Sequence, residues 1–183
     1  MQSSFIARLD ALNPLLTRRI SLILSFLAVI SCLLGFGWLK QELGTRMLDE
    51  MSGYDSEMPN TQMLLYGESG RALHLRFTLI LDMVFPLAYG AFFGGLLVLA
   101  ARGIFDKAVL APVLAVMVLD VSENVQIALI LAQFPDLGTQ QIAFASATTL
   151  AKFWAIRFFL MWLAGLVLRN LWVRLRARDA RGA

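Results

Sequence analysis

The sequence predicts an all-α membrane protein, a bundle of four transmembrane helices with both termini on the cytoplasmic side. Three observations lead there. Hydrophobic residues make up 58% of the 183-residue chain and charged residues only 16%, against about 45–50% and 25% in soluble domains. The charge-poor positions gather into long runs, each near the roughly 20 apolar residues that cross a bilayer. Lysines and arginines flank those runs unevenly, which sets a direction.

Span one covers residues 20–39 and carries no charge. Span two, 77–101, is interrupted only by Asp82. Span three, 108–132, carries Asp120 and Glu123, and span four, 142–168, carries Lys152 and Arg157. Backbone polar groups have no water to bond in lipid, so each span is expected as a helix. Trp38 at the end of span one and Trp172 after span four suit interfacial belts.

Ten basic residues lie on one side: Arg8, Arg18, Arg19, Arg102, Lys107, Arg169, Arg174, Arg176, Arg178 and Arg181. Four lie on the other: Lys40, Arg46, Arg71 and Arg76. The excess marks the cytoplasmic face, as in a bacterial inner membrane. A basic tail, 169–183, would rest on anionic headgroups there. The N-terminal Phe5, Ile6, Leu9, Leu12, Leu15 and Leu16 suit either a surface helix broken at Pro14 or a disordered start. Val29-Ile30-Ser31-Cys32 loosely resembles a lipoprotein cleavage box, but the apolar run continues past Cys32, so span one reads as uncleaved.

Residues 40–76 read as an exposed outer loop, acidic at Asp49, Glu50, Asp55 and Glu57, with a solvated His74. Such a loop is too short to fold alone without metals or disulfides. The chain is therefore one membrane domain, 1–183, with no room for a soluble catalytic unit. One cysteine and one histidine cannot form a usual zinc site, and no nucleotide-binding or hydrolase motif occurs. No metal or cofactor is expected. The basic residues form no nucleic-acid stripe; the bilayer itself is the expected partner.

The spans carry an unusual polar set. Asp82, Pro86 and Tyr89 are spaced i, i+4, i+7 on one face of span two. Asp120, Glu123 and Asn124 share one face of span three, and Thr148, Thr149 and Lys152 one face of span four. At 1.5 Å per residue, Asp82 lies about 8 Å from the outer end, Glu123 about 14 Å, Lys152 about 15 Å and Asp120 about 18 Å, with Tyr89 level with Asp120. Three helices thus converge on a polar pocket in the outer half of the membrane, expected to open outward. Three unpaired acids there would cost about 8–10 kcal/mol on insertion scales. They must be paired, hydrated or protonated, and Lys152 is the natural partner. Counting Arg157, the set holds three acids and two bases.

Plainer roles exist. Asp82 suits an interfacial cap, Lys152 could snorkel outward, Arg157 could cap a polar packing contact or pair with a phosphate, and Tyr89 could be core. Asp120 with Glu123 and Asn124 is hardest to explain by structure alone. Gly90-x-x-x-Gly94 and the repeat Ala147, Ala151, Ala155 allow close helix approach, either within the bundle or in a dimer.

The pattern Asp82, Pro86, Tyr89-Gly90, then Asp120-x-x-Glu123-Asn124, then Lys152 resembles uncharacterised bacterial four-span membrane proteins. It covers spans two to four, about half the chain, and implies a membrane location without an activity. In layout alone, small four-span enzymes and receptors for sterol-like ligands are similar.

Three functions are compatible with this pattern. The first is a pocket that binds or acts on a lipid, isoprenoid or similar amphipathic molecule, with Asp120 and Glu123 as acid and base and Asp82, Tyr89, Asn124 and Lys152 holding the ligand. The second is a proton- or cation-coupled transport component, working as a homo-oligomer. The third is an assembly subunit whose charges pair with a partner in a larger membrane complex.

Overall fold

A computed structural model describes residues 14–51, 53–101 and 109–182, with side chains described as far as residue 176. Among the described residues all regular structure is helical. Four helical stretches are long and apolar enough to cross a membrane: Arg19–Leu43, Met58–Ala100, Ala111–Gln133 and Thr139–Arg176. By length and composition this is a multi-pass membrane protein.

Helix α1 (Arg19–Leu43) is span one. It stops at Gly44, which takes the left-handed φ of 63° and donates its N–H to the carbonyls of Lys40 and Gln41. Glycine adopts that conformation without the Cβ clash that would strain another residue.

The connection that follows is not an exposed loop. A single 3-10 turn, Leu48–Glu50, buries Leu48 completely. Asp55 then accepts the N–H groups of Glu57 and Met58, which starts α2 (Met58–Phe77). Met47, Leu48, Tyr54, Met63 and Tyr66 form an apolar core with Leu39, Ile127, Ile130 and Ile142. The segment departs from the expected exposed loop because large apolar residues lie between its acids and pack against the helices. His74, expected in solvent, is on α2 at 3% exposure, edge-on to Tyr66. The kink at Gly67, with φ 63° and ψ 178°, interrupts α2 between the two rings.

Helix α2 runs through a π turn, Thr78–Asp82, directly into α3 (Met83–Ala100). Pro86 explains part of this irregularity. It has no N–H to give the carbonyl of Asp82, four residues back. The Asn124 amide fills the gap, donating to that carbonyl at 2.7 Å.

Helices α4 (Ala111–Gln133) and α5 (Thr139–Gly182) complete the bundle. With 44 residues, α5 is about 66 Å long at 1.5 Å per residue. Residues 169–182 of the basic tail therefore continue this helix, with Arg176 stacked 3.9 Å above the Trp172 ring.

The most extensive packing joins α4 to α5, α1 to α3 and α3 to α4. The glycines of α3 allow this closeness: a Cβ on Gly90 would strike Met117, one on Gly94 would crowd Leu110, and one on Gly95 would lie 2.6 Å from the Leu16 carbonyl. The alanine repeat behaves differently, since Ala147 and Ala151 are exposed on α5. Phe5 to Leu12, Arg102 and Lys107 lie outside the described residues.

Two apolar cores result. One contains Val29, Leu97, Val113, Val116, Phe159 and Leu166; the other is the Leu48–Met63–Ile127 core already described. Between them lies a layer of buried polar side chains: Thr78, Asp82, Asp120, Glu123, Asn124, Thr148 and Thr149. Outside, Ile20, Leu34, Trp154, Phe158 and Met161 form part of a widely exposed apolar surface. In a soluble monomer so large an apolar surface would drive aggregation; against lipid it is at rest.

Candidate functional site

The shared-face spacing places the site. All three residues Asp82, Pro86 and Tyr89 are buried, as are Asp120, Glu123 and Asn124 on α4 and Thr148 and Thr149 on α5. Glu123 and Asn124 have no exposed surface at all.

The centre is an ion-paired network. Lys152 Nζ donates to Asp120 Oδ1 at 3.1 Å and pairs with Glu123 Oε2. The Tyr89 hydroxyl donates to Asp120 Oδ2 at 3.0 Å. Both oxygens of Asp120 are thus engaged from two different helices. The expected match in depth between Tyr89 and Asp120 holds, and Lys152 faces inward with its side chain 12% exposed. Asp82 joins the layer through its backbone, held by Asn124, and its side chain lies within electrostatic range of Asp49, Asp120 and Lys152.

Arg157 is not part of the site. It is exposed on the outside of α5, 5.6 Å from the Phe153 ring centre and 5.3 Å from that of Trp154. It lies five positions beyond Lys152, about 140° around the helix from it at 3.6 residues per turn.

Asp49 takes its place in the charge balance, with the opposite sign. This residue belongs to the 3-10 turn, yet it faces Lys152, Asp120 and Glu50 electrostatically, and its Oδ1 is buried without a partner. Tyr54 is also nearby, its ring buried and its hydroxyl beside Thr149. Thr149 in turn adjoins Glu123. No direct hydrogen bond closes either step, and the Tyr54, Thr149 and Glu123 Oε1 atoms stay unpartnered. The sequence places Asp49 in an exposed acidic loop, and the structure buries it. The available signal was the company it keeps: Met47, Leu48, Met51 and Tyr54 are too apolar for a loop in water.

The turn therefore roofs the polar layer, and the pocket does not open outward as expected. Burial raises the Asp49 carboxyl above the ordinary carboxylate range, and it pushes the Tyr54 phenol up to about 12. Tyr54 remains a neutral donor at any physiological pH. For Asp49 the sign is that of an acid whose protonated form fits the fold better. Its contribution is complete below the ordinary carboxylate range and fades as pH rises through the raised value. Amide exchange in residues 47–57, corrected for intrinsic rates, is expected to be slower in acid than at alkaline pH. In Asp49→Asn that dependence should vanish, while protection that increases with pH would contradict the assignment.

The opening is lateral. A cavity of ≈ 330 Å³ lies between α1, α3, α4 and α5. Its walls are apolar: Val29 and Leu33, Phe85 and Phe93, Val113 and Val116, and Ile156, Phe159 and Leu160. Its polar lining is the networked trio Tyr89, Asp120 and Lys152. Helices α1 and α5 both supply wall residues but do not pack substantially against each other. Leu33 and Leu160, one on each side, are 49% and 48% exposed. The cavity thus meets the lipid-facing surface between those helices.

Among the described residues no three acidic, histidine or cysteine side chains converge closely enough to hold a metal ion. The site instead offers an apolar chamber with one hydrogen-bonding, charged end. Compared with known proteins, the chain matches no family model, no curated protein and no solved structure.

Proposed function

We propose that this protein holds a lipid-like or amphipathic small molecule in its intramembrane cavity, with the polar end of the molecule at Tyr89, Asp120 and Lys152. The supporting observation is the cavity itself: apolar walls, one charged end, and a side that meets lipid. Ligand sites in general are concave, mostly apolar and orient their ligand with a few convergent polar groups. At ≈ 330 Å³ the chamber is at the small end of the roughly 300–1,000 Å³ typical of such sites. It suits one ring system or a short single chain, such as an isoprenoid segment, and is too small for a two-chain phospholipid.

Within this reading Asp120 and Glu123 share Lys152 and serve as counter-ions, or as acid and base if the bound molecule reacts. Tyr89 and Lys152 orient its head, and Asn124 and Asp82 brace α3 against α4 behind it. The excess of ten over four flanking basic residues supports both termini being cytoplasmic, in a bacterial inner membrane as the resemblance on spans two to four implies.

Mass spectrometry of small molecules retained after gentle purification tests the proposal. The wild-type protein is expected to carry a stoichiometric apolar compound, reduced at least tenfold in Asp120→Asn. Equal retention in that variant, or a protein free of any such compound, would count against it.

A further inference from the structure

Helix α5 runs on past its apolar span, and a second cavity lies where it does so. This groove of ≈ 290 Å³ is between the end of α3 and α5. Leu96 and Leu99 wall it on one side, and Leu163 and Val167 on the other. Its polar lining is Asn170 and Arg174. It shares no lining residue with the chamber at Asp120. Asn170 stands about 27 Å along α5 from Lys152, at 1.5 Å per residue.

The groove changes character along its length. Leu163, Val167, Asn170 and Arg174 follow the i, i+4, i+7, i+11 stripe of one helix face. Leu163 and Val167 fall inside the apolar span 142–168, and Asn170 and Arg174 beyond it. The apolar part thus sits at hydrocarbon depth and the polar part at headgroup depth, where Trp172 also suits the interface. Asn170 Nδ2 donates to the Ala100 carbonyl at 2.7 Å, at the end of α3 where intrahelical donors run out. That bond fixes the polar corner, and an amide nitrogen has a second N–H to give. Arg174 is exposed, and among the described residues it forms no salt bridge. No aspartate or glutamate occurs in residues 83–105 or 137–178, so neither helix brings an acid to neutralise it.

We infer that this groove is a second ligand site, one that holds an anionic phospholipid with its phosphate at Arg174 and one acyl chain between Leu99 and Leu163. Charge complementarity selects the headgroup: a guanidinium meets a phosphate through two parallel N–H donors, and the second Asn170 N–H adds a third. The apolar walls select a lipid over a free phosphate, because only a lipid fills them. A basic cleft between helices at the cytoplasmic face is a recurring form of anionic-lipid site. At ≈ 290 Å³ the groove takes a single chain, and the other chain stays in the bilayer.

The test compares dioleoyl phosphatidylglycerol with dioleoyl phosphatidylcholine, which share their chains and differ in headgroup charge. Each is titrated into the full-length protein in detergent, and bound lipid is counted by native mass spectrometry. Phosphatidylglycerol is expected to bind at least fivefold more tightly, and Arg174→Gln to cut that preference below twofold. Arg169→Gln removes the same charge from a residue that does not line the groove, so there the preference should hold. Leu99→Trp, which fills the groove, should weaken both lipids severalfold. Millimolar inorganic phosphate should displace neither lipid. An equal loss of preference in Arg169→Gln and Arg174→Gln would mean diffuse attraction to the basic tail and would overturn the inference. So would equal affinity for the two lipids, undiminished binding in Leu99→Trp, or displacement by phosphate alone.

Discussion

Replacing Lys152 by methionine should be the most damaging single change in the chain. Methionine has nearly the length of lysine and none of its charge, so Asp120 and Glu123 would lose their shared partner. Their side chains are 8% and 0% exposed, so water cannot take over. Breaking a buried ion pair from one side generally costs about 3–5 kcal/mol, because the other charge is left uncompensated. For a chain of this size that is a fall in melting temperature of roughly 6–20 °C. The double variant Lys152→Met with Glu123→Gln should recover a large part of the loss, since one of the stranded charges is then gone. If Lys152→Met melts like the wild type, Lys152 reaches the interface instead of the network, and the central ion pair is not what holds α4 to α5.

Filling the cavity should have the opposite profile, a large effect on binding and a small one on stability. Val116 is 4% exposed and lines the chamber. A phenylalanine there would project into space that is otherwise free for a ligand. Overpacking a filled core costs about 1–3 kcal/mol; at this position the cavity absorbs the extra atoms, so the melting temperature should stay within a few degrees. Retention of a bound amphiphile should fall at least tenfold, equivalent to about 1.4 kcal/mol or more. Val118→Phe is the control. Val118 is on the same helix but 69% exposed to the outside, so neither quantity should move. Undiminished retention in Val116→Phe would place the ligand elsewhere on the protein.

These expectations show which parts of the molecule are written locally in its sequence. The spans were legible because lipid imposes a minimum run of apolar residues, and 20–39 falls well inside α1 (Arg19–Leu43). The polar faces were legible because helix periodicity is rigid: Asp82 with Tyr89, and Asp120 with Glu123 and Asn124, turn inward as their spacing requires. Even the shared depth of Tyr89 and Asp120 followed from counting rise along antiparallel helices, although the hydrogen bond between them did not. What was not legible depends on contacts between distant segments. Asp49 reaches the site through the packing of Leu48 and Met63 over the bundle end, and no periodicity marks a single 3-10 turn. The role of Asn124 as substitute donor for the Asp82 carbonyl needs both Pro86 and the register of α3 against α4. The lateral cavity arises where α1 and α5 do not pack substantially against each other, which no single span encodes. The exclusion of Arg157 from the polar set follows from its side of α5, where it is exposed, and a count of charges along the span does not carry that.

The proposed function requires a ligand lying in the cavity between α1 and α5 with its head at Asp120. Photolabelling in membranes tests this most directly, using an n-decanol analogue with a diazirine at the far end of its chain and peptide mapping of the adducts. Adducts should concentrate on Val29, Leu33, Ile156 and Leu160 and be competed away by unlabelled n-decanol. Labelling spread evenly over the lipid-facing Leu24, Leu34, Phe158 and Met161, and insensitive to competitor, would contradict it.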